Sequence, residues 1–311
     1  MKFWVGTTDN AWFRYLAERQ PPVDEVNFWQ PSAAPLFSGL PPGTPFLFKL
    51  KKPNNHIAGG GYFVRTSSLP LSMAWATFET RNGCASLEEF EKRLGGLRRD
   101  AQPREREILC TVLSEPFFLE SRDWLKDPEG WSGPIVRGKT YDTNDPEGRQ
   151  LWSRVAPLLA GGRNLSAKTG STVREQVPTY GEPMLVRPRL GQGGFRLLVA
   201  DAYQRRCAIT GENTLPVLEA AHIKPYAQSG MHDVSNGLFL RSDFHKLFDC
   251  GLVTVTPELR IRISTRIRDT YFNGKVYYRL DGCQLQVVPK EREERPNPEL
   301  LAWHNVNVFH P

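Results

Sequence analysis

The sequence has few of the features that mark secreted, membrane-spanning or zinc-bound proteins. Its five cysteines are scattered and form no CxxC pair, which argues against a disulfide framework and against a structural zinc site. No apolar run approaches the roughly 20 residues that cross a bilayer. The opening MKFWVGTTDN lacks the apolar segment of a secretory signal. We therefore expect a cytoplasmic protein with reduced thiols, no structural zinc and no membrane contact.

Acidic residues are outnumbered, with 34 Asp and Glu against 40 Lys and Arg and a formal net charge of +6. This balance mildly favours polyanionic partners such as nucleic acids. Basic residues cluster at positions 92–106 and at 205–206, although a solvated helix face explains such clusters equally well. A length of 311 residues favours two domains.

Short strands and small helices alternate over the first half of the chain. Residues 46–50 have period-two hydrophobicity and residues 57–64 are rich in glycine, which predicts a pair of strands. After residue 160 the sequence becomes aperiodic and rich in Gly, Ser and Thr. We predict an α+β protein with a first domain at 1–160, a linker at 161–187 and a second domain at 188–311.

The most specific pattern is a His–Asn–His series in the second half. His222, Asn236 and His245 follow one another at spacings of 14 and 9 residues. A hairpin with one His, a loop with an Asn and a short helix with another His can converge on one hydrated metal ion. His222 suits a general base near neutral pH, and His245 suits a metal ligand. The Asn236 amide can bond the backbone across the hairpin and hold His222 in register.

Four segments around these residues resemble the HNH endonucleases, or ββα-metal nucleases: CAITG at 207–211, LEAAHIKPY at 218–226, SNGLFL at 235–240 and SDFHKLFDCGLVTV at 242–255. The resemblance covers about residues 188–262. It implies a ββα-metal fold, a divalent cofactor such as Mg²⁺ or Mn²⁺, and phosphodiester hydrolysis by His222, Asn236 and His245.

One position departs from the pattern of many HNH enzymes. They carry an Asp or His metal ligand directly before the base, where this chain has Ala221. Glu219, Asp243 and Asp249 lie close enough in sequence to replace it, and we take Glu219 and Asp243 with His245 as the candidate metal ligands. Three basic residues flank the site, and phosphate contact and plain solvent exposure fit each of them: Lys224, Arg241 and Lys246.

The first half resembles the PUA-like superfamily, which includes the EVE, YTH and SRA domains. The match is carried by NFWQPS at 27–32, PPGTPFLFKLKKPNNHIAGGGYF from residue 41 and AWATFETRNG from residue 74. It implies a small curved barrel that holds one flipped, modified base in an aromatic pocket. Trp29 and Trp75 are the candidate walls of that pocket, although core packing also explains a single Trp. Beside them we place Phe28, Gln30, Ser32 and Asn82.

Together these resemblances predict a modification-dependent DNA endonuclease of restriction type. Its partner would be double-stranded DNA carrying a modified cytosine, either 5-methyl or 5-hydroxymethyl. Cutting both strands requires two nuclease sites, so we expect a homodimer. Two alternatives stay open: an HNH nickase or toxin nuclease indifferent to modification, and a non-catalytic reader of modified nucleic acid.

Overall fold

The structure is a computed structural model in which the chain divides into two compact units, Met1–Arg189 and Leu190–Pro311. It describes residues 1–31, 40–95, 107–128, 130–131, 135, 137–166, 190–225 and 233–311, with the backbone alone at 160–166. Most of the predicted linker lies outside these residues. No helix in the described part of the chain is long and apolar enough to cross a membrane.

The first unit is built from a sheet with helices beside it. Its elements are β1 (Lys2–Thr8), α1 (Asn10–Ala17), β2 (Glu25–Gln30), β3 (Pro45–Leu50), β4 (His56–Pro70), α2 (Leu71–Phe78), α3 (Leu87–Gly95), β5 (Glu107–Phe118), β6 (Leu125–Lys126), β7 (Gly138–Asp142) and α4 (Pro146–Ser166).

The strand order of this sheet is β2-β5-β4-β3-β1-β7, with β6 paired to β4. Only β1 and β3 run parallel, and the other pairs are antiparallel. Among the described strands, β2 and β7 at the two ends do not pair with each other, so the sheet does not close. The α+β class is confirmed, whereas the predicted small barrel is not seen.

The predicted strand pair at 46–50 and 57–64 is confirmed as β3 and β4. Glycine is needed within β4, because a Cβ on Gly59 would lie 2.3 Å from the Phe117 carbonyl oxygen of the neighbouring strand. The segments at 108–112 and 117–119 each have an apolar, strand-like sequence, and they belong largely to the single strand β5. A Pro at 116 therefore interrupts the hydrophobic pattern without ending the strand.

The second unit contains a hairpin followed by a helix and a longer C-terminal region. Its elements are α5 (Gln192–Ala202), β8 (Leu218–His222), β9 (Gly237–Arg241), α6 (Ser242–Asp249), β10 (Val253–Val255), β11 (Ile261–Ile263), α7 (Arg266–Tyr271), α8 (Lys275–Tyr278) and α9 (Pro298–Asn307). Strands β8 and β9 are antiparallel, with His222 opposite Gly237, and α6 follows β9 directly. This is the predicted hairpin-and-helix arrangement.

Two segments of the C-terminal region have strand-like sequences but do not form strands. Residues 271–280 are rich in aromatic residues, which favours a strand, yet they contain the end of α7 and all of α8. Gly274 separates these helices with a φ of 106°, and Tyr278 donates a hydrogen bond to the Ser264 carbonyl at 2.9 Å. The turn and this tertiary contact override the local preference. Residues 285–288 form no strand in the structure.

His304, on α9, is a buried histidine that gives the second unit a pH-dependent stability. It is 2% exposed, its Nδ1 lies 2.8 Å from the Thr254 hydroxyl, and its ring stacks on Phe248. Burial lowers the pKa of His304 to about 4. In the unfolded chain the pKa is about 6.5, so the stabilising effect is complete above that pH and is lost as the pH falls through about 4.

We expect the wild-type protein to lose more unfolding free energy between pH 7 and pH 4.5 than His304→Gln, which cannot be protonated there. The difference is at most about 3 kcal/mol, the linkage value for this pKa shift. Urea unfolding of both proteins at the two pH values measures it. Equal losses would show that His304 takes up its proton in the folded protein as easily as in the unfolded chain.

Candidate active site

His222 stands at the end of strand β8, where the strand ladder fixes its backbone opposite Gly237. Its ring stacks on Phe195 of helix α5, with centroids 3.9 Å apart and planes 10° apart. Gly237 leaves room for this arrangement, because a Cβ there would lie 3.1 Å from the Phe195 ring. The imidazole is thus held flat against a fully buried aromatic ring.

Asn236 fixes the chain on the far side of His222. Its Oδ1 accepts a hydrogen bond from the Lys224 amide at 2.9 Å, and its Nδ2 donates to the Lys224 carbonyl at 3.0 Å. The Asn236 carbonyl also accepts from the Ile223 amide. The side chain is 1% exposed, so water does not compete for these bonds. The structure therefore places Asn236 as a brace across the hairpin.

His245 lies on α6 and is oriented by a carboxylate. Its Nδ1 is 2.6 Å from Oε2 of Glu219 on β8. A carboxylate accepts only, so in the neutral imidazole this contact places the proton on Nδ1 and leaves a lone pair on Nε2. A carboxylate behind a histidine in this way is the usual support of a metal-binding imidazole. Glu219 therefore orients His245, a different position from the direct metal ligand we predicted.

Asp249 follows His245 by one helical turn, and its Oδ2 lies 3.4 Å from His245 Nε2. Partial burial raises the pKa of this carboxyl group, and the nearby His245 opposes the shift. The side chain is still 59% exposed, so it is open to a ligand. A cleft of about 480 Å³ is lined by these two residues and by His222, Ile223, Pro225, His304 and Val308.

The donor set of this cleft suits a divalent cation that keeps most of its water. Among the described residues, no group of three or more His, Cys, Asp or Glu side chains is arranged to hold a metal. His245 Nε2 and Asp249 Oδ2 are two donors on one helix face. Mg²⁺ commonly binds through one or two protein groups, several waters and substrate phosphate oxygens. The residues present fit such an ion.

Asp243, our other predicted metal ligand, is bound elsewhere, and we correct that assignment. Arg241 donates two hydrogen bonds of 2.7 Å to its carboxylate, and the Tyr277 hydroxyl donates a third. These contacts, led by the Arg241 hydrogen bonds, lower the pKa of Asp243. Arg241 is equally engaged, which leaves it poorly suited to the phosphate contact we predicted.

The two lysines predicted to contact phosphate have different surroundings. Lys246 is exposed on α6. Lys224 is half-buried, and its ammonium nitrogen lies 5.2 Å from the centre of the Trp303 ring on α9.

In the first unit, Trp29 and Trp75 both lie against Phe90 of α3, at centroid distances of 4.9 and 6.3 Å. Both tryptophans are half-buried, and Trp29 Nε1 donates to the Asn82 carbonyl at 2.9 Å. Gln30, at the end of β2, has a buried Oε1 that finds no hydrogen-bond donor among the described residues. The structure thus brings the two predicted walls together around one buried ring.

Two other predicted pocket residues are core residues, and we correct them. Phe28 is 6% exposed and packs 4.9 Å from Phe46. Asn82 is fully buried, accepts a hydrogen bond from Asn27, and donates to the carbonyls of Ala74 and Glu79. Its amide edge is occupied by the protein. Ser32 lies outside the described residues.

Comparisons with known proteins agree with this geometry at the second unit. Residues 207–256 match the model of a family described as HNH endonuclease. No curated protein gives a significant match. One solved structure, a modification dependent TagI restriction endonuclease, is similar at 13% identity and a TM-score of 0.27, covering 95% of this chain and 80% of that chain.

The matched stretch contains the hairpin, helix α6 and all three residues of the His–Asn–His series. The second unit therefore carries an HNH endonuclease domain. The protein is a nuclease, a hydrolase of phosphodiester bonds, and enzymes with this domain generally use a divalent metal ion.

Proposed function

We propose that the protein cleaves DNA by metal-dependent hydrolysis in the cleft between His222, His245 and Asp249. The observation that carries this proposal is the convergence of the three side chains, with the Nε2 lone pair of His245 turned away from Glu219. The second metal ligand in this proposal is Asp249, which takes the place left open by Ala221.

In this mechanism each residue has one task. His222 removes a proton from a water molecule, which attacks phosphorus as the bond to the 3′ oxygen breaks. His245 and Asp249 would hold a divalent cation, whose chemistry is to neutralise the phosphate and the leaving oxygen. Glu219 keeps His245 in its ligating tautomer, and Asn236 keeps His222 at its position on the hairpin.

Removing the metal tests this proposal most directly. Purified protein should nick or cut plasmid DNA with Mg²⁺ or Mn²⁺, lose cleavage completely in excess EDTA, and regain it when the ion is restored. Gel electrophoresis of the plasmid forms measures all three states. Undiminished cleavage in EDTA, from protein first stripped of metal, would contradict the proposal.

We further propose that the first unit selects DNA carrying a modified cytosine. A nuclease site that contacts mainly the backbone carries little base information, so discrimination has to come from elsewhere in the protein. The half-buried rings of Trp29 and Trp75, which lie beside Phe90, are the proposed stacking faces for a flipped base. A homodimer would supply one nuclease site for each strand.

Digestion of matched DNA with unmodified, 5-methyl or 5-hydroxymethyl cytosine tests this second proposal. We expect at least one modified substrate to be cut about tenfold faster, as one added group in an apolar pocket allows. Trp75→Ala should reduce the preference while leaving metal-dependent nicking intact, and Phe272→Ala, at an exposed ring of the other unit, serves as an unrelated aromatic control. Equal rates on all three substrates would favour a nickase or toxin indifferent to modification.

A further inference from the structure

We propose that helix α9 completes the nuclease cleft and that its Trp303 positions Lys224 to bind a substrate phosphate next to the scissile bond. The inference rests on the proposed function, because it concerns the same cleft. Helix α9 lies beyond the residues matched by the HNH family model, which end at 256.

Helix α9 is anchored to the part of the unit that carries the metal-binding residues. Leu301 is fully buried, and the His304 ring stacks 3.7 Å from the Phe248 ring of α6. Asn305 donates a hydrogen bond of 2.8 Å to the Val255 carbonyl. Because α6 also carries His245 and Asp249, α9 is held at a fixed position relative to both.

The same helix and the residue that follows it form a wall of the cleft. His304 and Val308 line the cleft together with His222, His245 and Asp249. Beyond Val308, the His310 amide donates 2.8 Å to the Gly251 carbonyl, just after α6. The described C-terminal residues are therefore part of the surface that substrate would contact.

Lys224 is held at both ends. Its backbone is bonded on both sides by the Asn236 amide, two residues beyond His222. Its ammonium nitrogen stands 5.2 Å from the Trp303 ring centre. A lysine side chain loses rotamer entropy when it is ordered, and this loss opposes binding. Contact with Trp303 orders part of the Lys224 side chain before substrate binds, so less rotamer entropy is lost on binding.

An aromatic ring is better suited than a carboxylate to hold the Lys224 ammonium group in position for a phosphate. A carboxylate would neutralise the ammonium and occupy its N–H groups, as Asp243 does with Arg241. A ring face attracts the cation and leaves its charge and most of its donors available to phosphate. Lys224 lies in the chain between Ile223 and Pro225, which both line the cleft, so its backbone borders the site of the proposed cation. Trp303 acts through Lys224 and is a positioning residue.

Duplex DNA binding in a His222→Ala background, measured by fluorescence anisotropy at several salt concentrations, tests the proposal without cleavage. We expect Lys224→Gln to raise the Kd about tenfold, as for a lost hydrogen bond to a charged group. The slope of log Kd against log salt should fall by about 1. Trp303→Leu should raise the Kd about two- to fivefold, and Trp303→Phe should recover most of the loss.

The decisive measurement is the double variant. If Trp303 acts through Lys224, Trp303→Leu has no further effect once Lys224→Gln is present. Equal effects of Trp303→Leu in both backgrounds would overturn the proposal, as would a Trp303→Phe as weak as Trp303→Leu. Val306→Ala, exposed on the same helix, and Lys275→Gln, exposed on α8, should bind as the parent does.

Failure of this inference and failure of the proposed function give different results. Wild-type protein that shows no metal-dependent cleavage contradicts the proposed function. Wild-type protein that cleaves, with Lys224→Gln binding DNA as tightly as its parent, contradicts only the role of Lys224 and Trp303. Thermal unfolding and Mn²⁺ titration should be unchanged in Trp303→Phe and in Lys224→Gln, which separates positioning from loss of fold or metal.

Discussion

His222→Ala is expected to lower the cleavage rate by about 10²- to 10⁴-fold, the range that general-base catalysis contributes. The side chain lines the cleft at the end of a strand, and its ring rests on Phe195. Removing it takes away the proposed base while leaving His245 and Asp249 in place. Single-turnover cleavage of a labelled duplex, at saturating protein and Mg²⁺, measures the chemical step.

Measurements of DNA and Mn²⁺ affinity show whether His222→Ala has lost only the chemical step or also its structure. DNA affinity and Mn²⁺ affinity should stay within about threefold of wild type, since neither a proposed ligand nor a cation has been removed. His310→Ala is the matched control, because His310 is exposed and its hydrogen bond to the Gly251 carbonyl uses the backbone amide. Cleavage by His222→Ala at the wild-type rate would assign the base to another residue.

His245→Ala is expected to abolish divalent-ion binding and cleavage together. The imidazole is one of only two metal-binding groups that we assign on α6. Loss of a residue that hydrogen-bonds a metal ligand typically weakens metal binding 10- to 100-fold, and loss of His245 itself should weaken Mn²⁺ binding by more than that. Glu219→Gln removes the carboxylate that bonds His245 Nδ1, and it should weaken Mn²⁺ binding by 10- to 100-fold. Calorimetric Mn²⁺ titration and plasmid nicking measure both consequences.

Two neighbours on the same helix provide controls for His245. Lys246→Ala changes an exposed residue and should leave Mn²⁺ affinity unchanged. Asp243→Asn, which disturbs the ion pair with Arg241, should alter stability with little effect on Mn²⁺ affinity. A larger loss of Mn²⁺ affinity in Asp243→Asn than in Glu219→Gln would reverse our assignment of these carboxylates.

Much of the second unit was predictable because its chemistry is local. The spacing of His222, Asn236 and His245 predicts the hairpin and the helix that position these residues, and the structure has both. Asp249 could have been chosen over Asp243, since a residue four positions after His245 shares its helix face. The contact between Trp303 of α9 and Lys224 could not be predicted, because the two residues are 79 positions apart and no local pattern links them.

The fold of the first unit was harder to predict, because the burial of its side chains depends on pairing between strands that are distant in sequence. Period-two patterns located β3 and β4, yet they gave no sign that β1 pairs with β3 in parallel. In the string NFWQ, Asn27 and Phe28 are buried, whereas Trp29 and Gln30 are half-buried. The sequence places Phe28 and Trp29 side by side and does not show that Phe28 belongs to the core.

The anchoring of the C-terminal residues limits how the nuclease can be used as a module. A fragment that ends at residue 256 would keep the hairpin, α6 and the three residues of the His–Asn–His series. It would lose Leu301 from the core and the His304 ring that stacks on Phe248. It would also lose the hydrogen bond from the His310 amide to the Gly251 carbonyl. Any transplant of this cutting activity into another protein should therefore carry the whole second unit through to residue 311.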